Sequence, residues 1–332
     1  MNLHTRIDLL NGLGDYLLEE NEELKTVQHS AWVENKWFIP DYVSLSGKSI
    51  AKEMLQSNIL ENVAQQYRIP DQQKQVRTIG LVMAGNIPFV GLQDMICVFL
   101  SGHKLKIKVS SKDTLLVKHL VQYLTSLNPE VAEWITIQEM LKDCDAYIAT
   151  GSDNSARYFE YYFSKYPHII RKNRTSVAVL DGTETREELE SLADDIQLYF
   201  GLGCRNVTQI WVPEEYDFVP LLGALRKYDH YKDHDKYKNN FDYQLTIAIM
   251  NNRFYMSNDS IVLLENESPF SPISQLHYQF YTNRDDVKKQ LDETKIQCFV
   301  GKGFIPFGKA QQPSLLDFPD GVDTLDFLEK LT

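Results

Sequence analysis

Hydrophobic residues recur along this chain with two different periods, and the change of period divides it. Ile7, Leu9, Leu10, Leu13, Tyr16 and Leu17, then Ile50, Met54, Leu55, Ile59 and Val63, fall three or four apart, the spacing of one helix face. Trp32 and Trp37 lie between the two sets, and Pro40 and Pro70 punctuate them, so 1–70 reads as a mostly helical N-terminal lobe. The polar run Asp71-Gln-Gln-Lys-Gln75 is a connector. From Arg77 the pattern changes. Residues 77–84 are apolar almost throughout after the first two, as a strand buried on both faces of a parallel sheet must be.

Strand and helix then alternate. Asn86 is placed as an N-cap and Pro88 in the first turn of a helix that is apolar nearly all round to Leu100 and closed by Gly102. Residues 104–109 alternate as a strand, and Ser110-Ser-Lys-Asp113 caps a helix with Leu116, Leu120, Tyr123, Leu124 and Leu127 on one face. A short strand at 145–149 runs through Thr150-Gly-Ser152 into a helix over 155–166, followed by a strand at 176–180. Thr185 and Glu188 form a capping box for a helix over 186–199. This alternation from 77 to 200 argues a doubly wound α/β sheet. Beyond it, strands are predicted at 207–212, 245–250, 261–264 and 296–300, with a helix over 218–227 and a charged segment at 229–242. The expected division is 1–70, 71–200, a smaller α/β domain over 201–310, and a tail, 311–332, packing back on the body.

One stretch carries chemistry: Tyr199-Phe-Gly-Leu-Gly-Cys204-Arg-Asn-Val. The helix stops at Gly201 and Gly203, a strand follows at once, and a cysteine is left on the turn. Glycines give such a turn backbone freedom and leave space beside the sulfur. Two readings fit: a nucleophile whose neighbouring backbone N–H groups lower its pKa and hold an oxyanion, or a small buried apolar residue.

Composition narrows the field. The chain has 332 residues, 43% hydrophobic and 24% charged, with net charge −12, and no long basic run that would engage nucleic acid. Four cysteines without a CxxC pair argue against a disulfide frame or zinc site, and point to a reducing, cytoplasmic setting. Met1 and its followers lack a signal-peptide pattern, and the most apolar run, 87–100, is too short to span a bilayer. His230 and His234 share a helical face but stand among charges, so a solvated face is read there, and no metal is expected. The aromatic cluster Tyr158 to Phe163 is read as helix packing.

No GxGxxG fingerprint follows the first strand. Three strand ends still carry ligand-friendly residues: Gly85 with Asn86, Lys108 to Ser111, and Gly151 with Ser152. In an open α/β sheet, ligands gather at such carboxyl ends, where helix N-termini present N–H groups.

Asn86-Ile-Pro88 after a strand, Lys-Ile-Lys108-Val-Ser110 after the next, Thr150-Gly-Ser152 before a helix and Gly-x-Gly-Cys204 before a strand, in that order, resemble the aldehyde dehydrogenase superfamily over about residues 75 to 310. Pro306-Phe307-Gly308 is similar to that superfamily's late Pro-Phe-Gly turn, and the tail 310–324 resembles the LuxC-type acyl-CoA reductases. The resemblance implies an aldehyde-dehydrogenase-like α/β fold, with 71–200 binding a nicotinamide cofactor and 201–310 catalytic. It makes Cys204 the nucleophile and Asn86 the oxyanion donor. Lys108 is a contact to the adenosine ribose or its phosphate, and Gly151 and Ser152 lie by the pyrophosphate, with Gly85 and Ser110 on the same cofactor edge. The implied reaction is NADPH-dependent reduction of a long-chain acyl-CoA to aldehyde. NADPH is preferred to NADH because Lys104, Lys106, Lys108 and Lys112 crowd the strand end where a 2′-phosphate would lie. An acyl-CoA or acyl-carrier substrate, and a homo-oligomer or a partner acyl-transfer subunit, are the expected associations. Rival readings are a short-chain acyl-CoA or acyl-phosphate reductase, or a non-catalytic binding protein on this fold.

Two departures stand out. The superfamily's general-base glutamate belongs near 174–182, where no glutamate stands, and the glutamate of its Glu-Phe-Gly-Pro segment has only Glu267, one residue out of register. Without a base to activate water, an acyl-enzyme is protected from hydrolysis, which favours reduction.

Overall fold

The computed structural model describes residues 1–19 and 21–331. Two units emerge, Met1–Asn173 with Gln312–Thr332, and Arg174–Gln311.

The first unit opens with four helices, α1 (Leu3–Leu18), α2 (Glu22–Glu34), α3 (Pro40–Met54) and α4 (Ser57–Gln66). Their apolar faces share one core with the sheet that follows, so 1–70 is part of this unit rather than a lobe with its own core. Arg6 ties them in. It is fully buried, and its guanidinium donates to the carbonyls of Met1, Pro70, Asp71 and Leu100. Burial lowers its pKa to about 10, which the charge of Asp71 partly opposes.

The sheet is built from β1 (Thr78–Val82), β2 (Lys104–Lys108), β3 (Ile135–Ile137), β4 (Ala146–Thr150) and β5 (His168–Arg171), joined by α5 (Leu92–Ser101), α6 (Thr114–Leu127) and α7 (Asp153–Phe163). All five strands are parallel, in the order β3-β2-β1-β4-β5. α5 is buried at every position and ends on Gly102 at φ 81°, as its all-round apolar sequence requires. Its start differs from expectation. Asn86 is not its N-cap; Gly91 is, and the residues after β1 stay irregular because Phe89 takes φ 63° and turns its N–H away to Asp113.

The second unit has six strands: β6 (Thr175–Val179), β7 (Val207–Pro213), β8 (Met256–Ser257), β9 (Val262–Glu265), β10 (Gln275–Tyr281) and β11 (Ile296–Val300). Its helices are α8 (Arg186–Gln197), α9 (Phe218–Leu225), α10 (Asp235–Met250) and the single turn α11 (Val287–Gln290). Strand order is β11-β6-β7-β10-β9-β8, parallel except for the antiparallel edge strand β8.

Two expectations are corrected here. The boundary falls at Asn173/Arg174, not at 200, because the strand read at 176–180 pairs with β7 and β11 of the second sheet. Residues 245–250 are helical: the β-branched run Leu-Thr-Ile-Ala-Ile-Met forms the last turns of α10, a helix N-capped by His234, whose Nδ1 accepts the N–H of Tyr237.

The tail returns to the first unit, where α12 (Thr324–Glu329) contributes Leu325 and Leu328 to the core. Arg171 at the end of β5 anchors it. Its guanidinium holds Asp94 of α5 through two bonds, of 3.1 and 2.7 Å, and donates to Thr324 Oγ1 at 2.8 Å and to the Pro319 carbonyl. Burial opposes its charge, yet the Asp94 carboxylate prevails and the pKa is raised.

Candidate functional site

In the first unit six of the residues singled out from sequence come to one edge. Gly85 and Asn86 follow β1, Lys108 ends β2 with Ser110 beyond it, and Gly151 and Ser152 follow β4. Val82 of β1 stands beside Lys108 on one side and Ala149 on the other, so the three strand ends are neighbours. The chain proceeds outward from β1 through β2 to β3, then crosses back to β4. That reversal makes the ground between β1 and β4 the switch point at which such sheets take ligands.

The local chemistry suits a dinucleotide. Ser152 N-caps α7, an eleven-residue helix, by accepting the N–H of Ser155, and the remaining first-turn N–H groups suit a pyrophosphate. Gly151 is required there: a Cβ would lie 2.8 Å from Ser155 and 2.9 Å from the Phe159 ring. Gly85 is equally constrained, since its Cβ would meet the Ser110 hydroxyl at 2.6 Å. After β1, by contrast, no helix begins until Leu92, whereas α7 begins directly after β4.

The lysines are less concentrated than their sequence suggests. Lys104 opens β2, at the edge away from these strand ends. Lys106 donates to the carbonyl of Lys142 at 2.7 Å. Lys108 and Lys112 alone of the four stand exposed at the carboxyl end of β2.

In the second unit Cys204 occupies the turn between α8 and β7, half-buried and outside any disulfide. The approach is tightly wound: Tyr199, Phe200 and Gly201 have φ of 55°, 59° and 72° in succession. For Tyr199 and Phe200 this costs on the order of 1 kcal/mol each, a strain that packing must hold. Both are buried, and the Phe200 ring packs between Tyr231 and His234.

Asn206 does the rest. Fully buried, its side-chain oxygen accepts the Gly203 N–H at 2.8 Å, and its amide donates to the carbonyls of Asp195, Ile196 and Leu198 at 3.1, 3.2 and 2.9 Å. The turn bearing Cys204 is thereby fastened to the end of α8. From the other side Ser176 Oγ on β6 donates to the Cys204 carbonyl at 3.0 Å and lies 3.1 Å from Cys298 Sγ. The Cys298 thiol is pushed up by burial, with Ser176 and Arg205 acting against it. Asp195 of α8 links a further element: its two carboxylate oxygens accept the Gly308 and Ala310 N–H groups at 2.6 and 3.0 Å, docking the Pro306-Phe307-Gly308 turn.

The segment expected to hold a general base offers none. Residues of β6 are buried throughout. The acids beyond it, Asp181 and Glu184, stand past its carboxyl end, whereas the Cys204 turn lies at the amino ends of β6 and β7. Asp181 is occupied by Thr183 and Lys302, and Glu184 accepts the Asp181 and Gly182 N–H groups. Glu267 is exposed, on a loop whose carbonyls at 266, 267 and 268 are gathered by the Gln209 amide.

Asn206, Ser176 and Asp195 escaped sequence inspection. For Asn206 a signal existed, since an asparagine two residues beyond a turn cysteine and directly before a buried strand marks a side chain bonded to backbone. Ser176 and Asp195 bear no local mark. His230 is exposed and His234 caps α10, and among the described residues no cluster of three or more His, Cys, Asp or Glu is arranged for a metal. Among them also, no helix is long and apolar enough to cross a membrane.

Comparison with known proteins bears on both units. Residues 45–228, more than half of the chain, match the family model described as acyl-CoA reductase (LuxC). No curated protein sequence matches the chain. Among solved structures, an NAD-dependent aldehyde dehydrogenase from Sinorhizobium meliloti superposes with TM-score 0.63 at 11% identity, over 90% of this chain and 70% of that one. A Mycobacterium tuberculosis aldehyde dehydrogenase complexed with NAD+ gives 0.62 at 12% identity, covering 87% and 71%. The NADP-dependent glyceraldehyde-3-phosphate dehydrogenase of Bacillus halodurans, complexed with NADP, gives 0.61 at 12% identity, covering 90% and 74%. At such identities the likeness is one of fold. With an aldehyde-dehydrogenase-like fold and a family match over most of its first unit and the Cys204 turn, the chain belongs to the acyl-CoA reductase (LuxC) family.

Proposed function

We propose that the protein reduces a long-chain acyl thioester to the aldehyde through an acyl-enzyme on Cys204, with NADPH as reductant. The observation that carries this reading is the Cys204 turn itself. Three consecutive left-handed residues and a fully buried asparagine hold one half-buried thiol in place. A merely space-filling cysteine needs no such scaffold.

In this reading the Cys204 thiolate attacks the thioester carbonyl. The Cys204 backbone N–H would donate to the oxyanion, and the resemblance to the aldehyde dehydrogenase superfamily assigns the Asn86 carboxamide as the second donor, a contribution commonly worth roughly 3–4 kcal/mol per donor. Collapse expels the carrier thiol and leaves the acyl group on sulfur. When bound, a nicotinamide cofactor would supply the hydride that reduces the acyl carbon. Cys204 then leaves as thiolate from the resulting thiohemiacetal, and the aldehyde is released. The acids at the far end of β6 are occupied by neighbouring groups, which supports reduction over hydrolysis.

Gly85, Ser110, Gly151 and Ser152 are assigned to the cofactor edge, with Lys108 toward the adenosine ribose. The preference for NADPH rests on Lys108 and Lys112, the two lysines left at the strand end, and a 2′-phosphate is the group they would attract. Long-chain acyl donors follow from the family likeness of the tail. Steady-state oxidation of NADPH and NADH, measured with acyl-CoA esters of rising chain length, tests these assignments. Faster turnover with NADPH and with long chains is expected. Turnover confined to short chains, or to acyl phosphates, would replace the donor assignment.

A further inference from the structure

Residues 83–91, between β1 and α5, form no regular structure, yet they are clamped. Pro88 is held by α3, where the buried Ser46 hydroxyl donates to its carbonyl at 2.9 Å. Phe89 is 2% exposed with φ 63°, and its N–H donates to Asp113 Oδ2 at 2.9 Å. On the same side Gly85 is pressed against Ser110, and its Cβ would stand 3.3 Å from the Cβ of Asp113.

Asp113 is in an odd position for an aspartate. It is the N-cap residue of α6 but makes no capping bond, forgoing roughly 1 kcal/mol that such a side chain ordinarily contributes. It is 3% exposed, and its Oδ1 is buried without a hydrogen-bond partner. Burial pushes its pKa up to about 7, with the Phe89 N–H opposing. A carboxyl buried at this cost, at the one place where it could have capped a helix, is instead committed to the loop that carries Asn86. Local rules are broken in this way where function requires it.

We infer that Asp113 is a positioning residue of the reaction, fixing the Asn86–Phe89 loop and thereby the Asn86 carboxamide. This rests on the reading of Asn86 as oxyanion donor. The discriminating variant is Asp113→Ser. Serine is a good N-cap, so α6 keeps its start, but its short side chain cannot reach Phe89. Asp113→Asn keeps a carbonyl oxygen for the Phe89 N–H.

Hydrogen exchange of the segment 83–91 and single-turnover acylation of Cys204 by acyl-CoA are compared across the full-length variants. Asp113→Ser is expected to speed exchange of 83–91 while α5 and α6 stay protected, and to slow acylation by about tenfold or more through misplacement of the donor. Asp113→Asn should match wild type in exchange and acylate within about threefold of it. The inference is overturned if Asp113→Ser leaves exchange and acylation unchanged, or if Asp113→Asn behaves like Asp113→Ser. Absence of any adduct on the wild-type protein would refute the Cys204 reading, whereas unchanged exchange in Asp113→Ser would refute the role of Asp113.

Discussion

Asn206 accepts the N–H of Gly203 through its side-chain oxygen at 2.8 Å, so the residue before Cys204 is fixed by one three positions later. The same side chain reaches back to three carbonyls at the end of α8. One residue thus satisfies four backbone groups that the tight passage from helix to strand would leave without partners. Replacing it by alanine strands them in the interior. Asn206→Ala should destabilise the second unit by about 2–4 kcal/mol and raise the rate of Cys204 alkylation as the turn loosens. Denaturant unfolding with iodoacetamide labelling measures both; a loss below about 1 kcal/mol would mean the turn stands without its lock.

The buried pair of Arg171 and Asp94 joins β5, α5 and the tail of the first unit. Arg171→Met leaves the Asp94 carboxylate uncompensated and should cost about 3–5 kcal/mol. Adding Asp94→Leu removes the orphaned charge and should recover at least about half of that loss. Equal instability of the single and double variants, measured by denaturant unfolding, would show that the pair acts through Thr324 and Pro319 alone.

Much of this architecture was legible along the chain. The buried strand at 77–84, the left-handed Gly102 and the Thr185–Glu188 capping box all appear as read, because each is determined by neighbours within a few residues. What failed depended on distant partners. Residues 176–180 look like one more strand of the first sheet, and only their pairing with β7 and β11 assigns them elsewhere. Residues 245–250 are rich in β-branched side chains, but burial of Ala248 within a helix capped at His234, fourteen residues earlier, overrides that propensity. Asn86-Ile-Pro88 has the composition of a helix start, and the pull of Asp113 on Phe89 delays the helix to Leu92. The motif residues were identifiable, whereas the polar side chains that hold their turns were not.

Asp195 supplies a pH signature. Burial pushes its pKa up to about 7 against the two backbone N–H groups that favour its charge. Since the unfolded carboxyl ionises near its ordinary 3.8, the unfolded chain loses this proton first as pH rises. The contribution of Asp195 to stability therefore declines between about pH 4 and 7 and is level above. Asp195→Asn removes that decline, so its stability relative to wild type should improve steadily from about pH 4 to 7. A stability difference independent of pH over that window would show that the carboxyl ionises normally in the fold.

Intact-mass spectrometry after incubation with a long-chain acyl-CoA, without nicotinamide, bears most directly on the central claim. Wild type should gain one acyl group, mapped to Cys204 and discharged as aldehyde when NADPH is added, and Cys204→Ala should gain none. An adduct persisting in Cys204→Ala, or aldehyde formed by that variant at the wild-type rate, would contradict the assignment of Cys204 as the nucleophile.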